Sequence, residues 1–199
     1  MKTTRSYVMR ARADAVADTR QRILQAAFDL SGERMSLEIV LGDVADRAGV
    51  SVQTILRHFG SREALFDAVG EFARGQIVAE RATPAGDIPA AVKVIFSHYE
   101  TRGDAVLRFL AQELWDDRAR QVTEQGRRLH RDWVRAVFAP QLDTKPTADR
   151  EALTDLLVVA TDVYTWKLLR RDRRLDRPVA ERRVRDMINA LLAGQAEGG

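Results

Sequence analysis

The sequence predicts an all-α fold in two parts: a three-helix head carrying a helix-turn-helix, then a larger helical bundle. Three observations predict it. Alternating β-branched runs of the kind that make strands are few. Apolar residues recur at helical spacing in nearly every segment, and Gly and Pro fall between those segments rather than inside short ones. Hydrophobic residues are 45% and charged residues 31% of the 199, a balance that supports a buried core and excludes disorder along the whole length.

The first helix is expected to start near Asp18, where Asp18-x-x-Gln21 has the form of a capping box. Ile23, Leu24, Ala27, Phe28 and Leu30 then make one apolar face. A short helix follows over about 41–48, with Val44, Ala45 and Ala48 inward, and Gly49 ends it, since glycine takes the left-handed cap conformation without steric cost. Ser51 caps the next helix, 52–58, and Ser61 starts a longer one reaching about Glu80. Pro84, Gly86 and Pro89 mark either a joint between domains or a break within a helical array. Beyond it, helices are expected at roughly 88–101, 104–115, 117–138, 148–172 and 178–193, separated by Gly103, Pro140–Pro146 and Pro178. The domain reading is a basic, flexible arm over 1–17, a head over 18–80 and a body over 81–199.

Charge is small in total and uneven in place. The formal charge is +3, yet residues 1–22 hold six Lys and Arg against two Asp. A basic end on a near-neutral remainder suits attraction to a polyanion. There is no cysteine, which removes disulfides, thiolate nucleophiles and Cys-rich zinc sites and fits a reducing cytoplasm. The longest uncharged run, Met187–Ala196, is half the roughly 20 residues needed to span a bilayer. The N-terminus lacks the apolar core of a secretory signal. Cytoplasmic location is the expectation.

The informative stretch runs from Asp43 to Phe59. Small Ala45 lets two helices cross closely, Gly49 makes the turn, and Val50 and Ile55 anchor the second helix. Ser51, Val52, Gln53, Thr54, Arg57 and His58 then fall on or near its outer side. A helix of this kind fits a major groove about 12 Å wide. Gln53 pairs with adenine or bridges through water, Thr54 meets a thymine methyl or a phosphate, and Arg57 and Arg62 suit phosphate or guanine. The turn alone also fits a plain helical hairpin with a polar face.

The flanking residues add to this. Thr19-Arg20-Gln21-Arg22-Ile23-Leu24-Gln25-Ala26-Ala27, then Asp43-Val44-Ala45-Asp46-Arg47-Ala48-Gly49-Val50-Ser51, then Thr54-Ile55-Leu56-Arg57-His58-Phe59 and Ser61-Arg62-Glu63-Ala64-Leu65 resemble the N-terminal domain of TetR-family regulators. Order and spacing agree without gaps over about 18–70. Tyr164–Asp172 resembles the penultimate helix of an actinobacterial branch of that family. The resemblance implies a bacterial transcriptional regulator, by default a repressor, that binds a near-palindromic operator on double-stranded DNA as a homodimer and is released by a small-molecule effector. DNA-binding positions carried over are Arg20, Gly42, Ser51, Val52, Gln53, Thr54, Arg57, His58 and Arg62. This chain departs from the family pattern in four places. Ile39 and Val40 stand where a hydroxyl pair is usual, Gly42 where a longer and often basic residue is common, Leu56 for the usual tyrosine, and Met35 where a glycine often ends the first helix.

In the body, Leu156, Val159, Val163, Tyr164 and Trp166, with Val184, Met187, Ile188 and Leu191 on the last helix, are read as a homodimer interface of four helices. An intramolecular core is the alternative. Phe96, Tyr99, Phe109, Trp115 and Trp133, with His98 and His130 among them, suggest an apolar cavity for a lipophilic or aromatic effector, or ordinary packing. No phosphate loop, metal pair or nucleophile turn occurs. Neither catalysis, metal nor cofactor is expected. The competing reading is a helical dimeric scaffold, or a non-sequence-specific DNA-associated protein with a degenerate helix-turn-helix.

Overall fold

A computed structural model describes residues 3–35 and 38–194, with side chains of the first helix from Arg10 onward. All the regular elements described are helices. They run α1 Thr3–Glu33, α2 Leu41–Ala48, α3 Val52–Phe59, α4 Arg62–Glu80, α5 Ile88–Gln112, α6 Asp117–Val137, α7 Ala139–Leu142, α8 Thr147–Thr161, α9 Val163–Lys167 with a π-helical turn Leu168–Asp172, and α10 Arg177–Gly194. The chain divides into two units, Met1–Gln76 and Ile77–Gly199. The division falls inside α4, a few residues before the expected 80/81.

In the head, Ile23, Ala27 and Leu30 of α1 close on Val44 and Ala45 of α2, Ile55 of α3 and Leu65 of α4. All are buried, as the helical spacing requires. α1 departs from expectation at its start. The helix continues back to Thr3, so Asp18 lies inside it and pairs with Arg22 at 3.3 Å instead of capping. The cause is local. No Gly or Pro interrupts the first 31 residues, and Ala and Arg favour helix without needing a partner surface. From Arg10 to Asp18 every side chain is exposed. The part of the expected flexible arm that is described, from Thr3, is therefore helical; Met1 and Lys2 lie outside the described residues.

In the body, α5, α6, α8, α9 and α10 surround a core that includes Val92, Ile95, Phe96, Val134, Phe138, Leu153, Leu157, Trp166, Val184 and Ile188. The Pro84–Pro89 segment is a break within this unit. Gly86 turns at φ 84°, its N–H bonds Val137 O at 2.7 Å, and Asp87 caps α5 by accepting from Ala90 N–H at 2.9 Å.

Two expected boundaries move. α5 runs straight through Gly103, which is a close-approach residue: a Cβ there would stand 2.5 Å from Trp166 Cζ3. The expected helix 148–172 is two, because Asp162 leaves helical geometry at φ −73°, ψ 157° and caps α9 by accepting from Tyr164 N–H at 2.9 Å. This bend aims Trp166 into the core. There its indole N–H donates to Glu100 Oε1 at 3.1 Å, which satisfies its one polar atom.

Candidate nucleic-acid interface and the buried polar cluster

The turn between α2 and α3 is built as its residues demand. Gly49 takes φ 65°, and Val50 N–H bonds Ala45 O at 3.0 Å. Arg22 of α1 donates to Ala48 O at 2.8 Å, occupying a carbonyl that the helix end leaves open. Ser51 Oγ accepts from Thr54 N–H at 3.1 Å and so fixes the first turn of α3.

The fully buried Ile55 anchors α3 and puts its other face outward. Ser51, Val52, Gln53 and Arg57 are exposed, and Thr54 and His58 half-buried. Thr54 is partly committed, its hydroxyl lying 3.0 Å from Ser51 Oγ. Gln53 and Arg57 are the long polar side chains on the open face.

The other assigned positions support the head as much as they face outward. Arg20 lies over the Phe59 ring at 4.4 Å and donates to His58 O at 3.4 Å, joining α1 to the end of α3. Arg62 turns inward: Nε and Nη2 donate to Ile39 O at 3.2 and 3.1 Å, and the guanidinium sits 4.8 Å from the Phe66 ring centroid. This tie gives the carbonyl of the buried Ile39 the donor it needs. At Gly42 a Cβ would meet only Val40 Cγ2 at 3.9 Å, an ordinary contact, so packing does not require glycine there.

Val40 stands at the N-cap of α2 with no side-chain cap, as the missing hydroxyl pair predicts. Sequence reasoning missed the substitute. Asp43 Oδ2 accepts from Val40 N–H at 3.4 Å and pairs with Arg34 at 3.1 Å. The readable signal was an acid in the first turn of α2.

In the body, the expected cavity residues separate. Phe96, His98, Tyr99 and His130 are buried, Trp133 and Phe109 half-buried, and Trp115 is 61% exposed. Trp115 is thus corrected from cavity wall to surface: it follows the end of α5, where the chain turns outward toward α6. The structure brings together His98 with Tyr99 (5.4 Å between rings) and His130 with Trp133 (5.7 Å, stacked). Arg81, which the sequence did not single out, joins the two pairs. Its Nη1 lies 3.5 Å from His130 Nδ1, its guanidinium 5.5 Å from the Tyr99 ring, and its carbonyl accepts from Trp133 Nε1–H at 2.9 Å.

Burial, then the charge of Arg81, holds His130 and His98 down at about 3, so both rings are neutral. Thr161 Oγ donates to Leu157 O at 2.7 Å, so it accepts from His130 Nε2–H at 3.1 Å. His130 Nδ1 then carries the lone pair facing Arg81. Tyr99 is pushed up, chiefly by burial, and keeps its proton.

The expected dimer residues also divide. Val163, Trp166, Val184 and Ile188 are buried in the body's own core and are corrected from interface to interior, since the bend at Asp162 and the inner face of α10 point them inward. Leu156, Val159, Tyr164 and Met187 are exposed, together with Leu168, and Leu191 is half-buried.

A buried three-helix core with an outward second helix after a Gly49 turn defines the class of the head: a helix-turn-helix domain. The sequence model of the family described as bacterial regulatory proteins, tetR family, matches residues 23–69, so the chain carries that family's N-terminal domain. The fold is shared with solved structures of low identity. One is a tetR-family transcriptional regulator from Streptomyces coelicolor, with TM-score 0.70, 19% identity, and coverage of 90% of this chain and 82% of that one. Another is GusR of Salmonella enterica (0.65, 18%, 88% and 95%). A third is a transcriptional regulator from Rhodococcus sp. Rha1 (0.64, 20%, 88% and 96%). No curated protein matches the chain significantly. Among the described residues, no helix is long and apolar enough to cross a membrane.

Proposed function

We propose that this protein is a cytoplasmic transcriptional regulator, a repressor, that binds operator DNA as a homodimer and is released by a small-molecule effector. The observation that carries the DNA reading is the outward face of α3: Ile55 is fully buried while Gln53 and Arg57 stand exposed on a helix capped by Ser51. Such a helix presents its first turns to base edges in a major groove. Gln53 is the candidate adenine reader and Arg57 the candidate guanine or phosphate contact. Arg20 and Arg62 act by holding α3 and α4 in place. The exposed charges of α1 supply a sequence-independent attraction that falls steeply with salt.

A homodimer is supported by the exposed apolar groups Leu156, Val159, Tyr164, Leu168 and Met187 on α8, α9, the π-helical turn and α10. Two heads on a two-fold axis would meet half-sites about 34 Å apart, so the operator should be near-palindromic. An effector that binds one of two conformations better would shift the population toward it, and release from DNA follows where that conformation binds the operator less well.

Selection of a preferred duplex from random DNA tests this directly. The purified protein should enrich one near-palindromic site and sediment as a dimer. Gln53→Ala combined with Arg57→Ala should weaken that site by about 10²-fold or more, at about 1–3 kcal/mol per base contact. Unchanged sequence preference in the double variant would contradict the assignment, and a protein that enriches no sequence would point to the scaffold reading.

A further inference from the structure

We propose that Arg81 is the anchor of an anion site in the body, and that the ligand it takes is a small organic acid presenting a carboxylate beside an apolar or aromatic group. The inference deepens the effector reading and rests on it for its biological meaning. The geometry stands on its own.

Arg81 is 7% exposed, and its Nε is buried without a hydrogen-bond partner. Its close contacts are to the lone pair of His130 Nδ1 and the phenol and ring of Tyr99, while the charges of Glu80 and Asp162 reach it only through space. A buried guanidinium with no hydrogen-bonded counter-ion and an unpaired Nε is incompletely compensated.

The chain's own carboxylates do not complete it. Glu80 is held by Arg102, whose Nε donates to Oε1 and Oε2 at 3.2 and 2.9 Å, and by His98 Nδ1 at 3.1 Å. Asp162 is committed to the cap of α9. Both carboxylates act on Arg81 through space, yet their oxygens are engaged by these other partners, which leaves the guanidinium edge at Nε open to an anion from outside the chain.

The surroundings select the rest of the ligand. Tyr99, Trp133, His130 and His98 surround the guanidinium with flat, uncharged rings, and a neutral histidine does not repel a cation or attract a second anion. A carboxylate matches the guanidinium fork, and an apolar remainder matches the walls. A bulky, heavily hydrated inorganic dianion does not.

The test uses the full-length protein without DNA, so its result is independent of whether an operator is found. Calorimetry and thermal melting are run with benzoate, octanoate, inorganic phosphate and the neutral isostere benzamide. Benzoate or octanoate should bind saturably and raise the melting temperature, with benzamide at least about tenfold weaker. Arg81→Gln should lose at least about tenfold in carboxylate affinity while melting no lower than the parent without ligand, because it removes an uncompensated buried cation. Arg81→Lys, which keeps the charge but not the fork, should bind at intermediate strength, and it carries the comparison if the glutamine variant fails to fold. Equal response in parent and Arg81→Gln, equal binding of benzoate and benzamide, or binding of phosphate alone would each overturn the assignment.

Discussion

Gly103 and Trp166 show how one atom's worth of space can order a body of this size. A Cβ at Gly103 would lie 2.5, 2.7 and 3.0 Å from three ring carbons of Trp166, so something must move. The ring has little room to do so. Its N–H is held by Glu100, Arg171 covers it at 4.5 Å, and it is 1% exposed. Gly103→Ala would gain about 1 kcal/mol of helix propensity and lose about 1–3 kcal/mol or more to overpacking. The expected outcome is a melting temperature lower by several degrees, checked by thermal unfolding. The sequence could not disclose this role. A glycine within an apolar pattern reads equally as a stop or as a close approach, and the residue that decides lies far along the chain. The outward face of Gln53 and Arg57 was legible because the Gly49 turn and the spacing around Ile55 fix it locally. Arg62 was not, because its acceptor, the Ile39 carbonyl, belongs to a different segment.

At the scale of elements, the helices of the head were readable from caps and period, and those of the body only in part. Apolar groups from Leu156 to Leu169 cover nearly every side, which suggests one buried helix rather than two meeting at an angle. Asp162 makes the break by capping α9, while desolvation raises its carboxyl above the usual range. Asp162→Ala should therefore cost about 1 kcal/mol through the lost cap, with Asp162→Asn retaining most of it. Chemical denaturation of the three proteins measures this. Between α6 and α8, Arg131 meets Glu151 and Asp155, and Arg135 meets Glu151. These pairs are exposed enough to align the helices without adding much stability.

For the whole molecule, the two buried histidines set the pH response. In the unfolded chain they protonate near 6.5, whereas folding holds each down to about 3. The unfolded state therefore binds more protons below 6.5, and stability, complete above that value, falls as pH drops toward 3. Each histidine contributes about 1.4 kcal/mol per pH unit within the window at most. Glu80 and Glu100 are held low by Arg102 and Arg170, so their loss comes later, below the ordinary carboxylate range. Melting temperature should fall between pH 6.5 and 4.5, and His130→Gln should flatten that fall. Composition and periodicity gave the all-helical class and the head, but not the polar cluster around Arg81. Its members are scattered from residue 80 to 162 and meet only when α5, α6 and α8 pack.

The first half of α1 has a further consequence. From Arg10 to Asp18 every side chain is exposed, so little beyond the backbone ladder and the local Asp18–Arg22 pair holds the helix, and such a ladder opens cheaply. Trypsin should nick first after Arg10 and Arg12, well before Arg22, whose side chain is tied to Ala48. Bound nucleic acid that neutralises those arginines would slow the cuts, so a digestion time course would report occupancy of this segment.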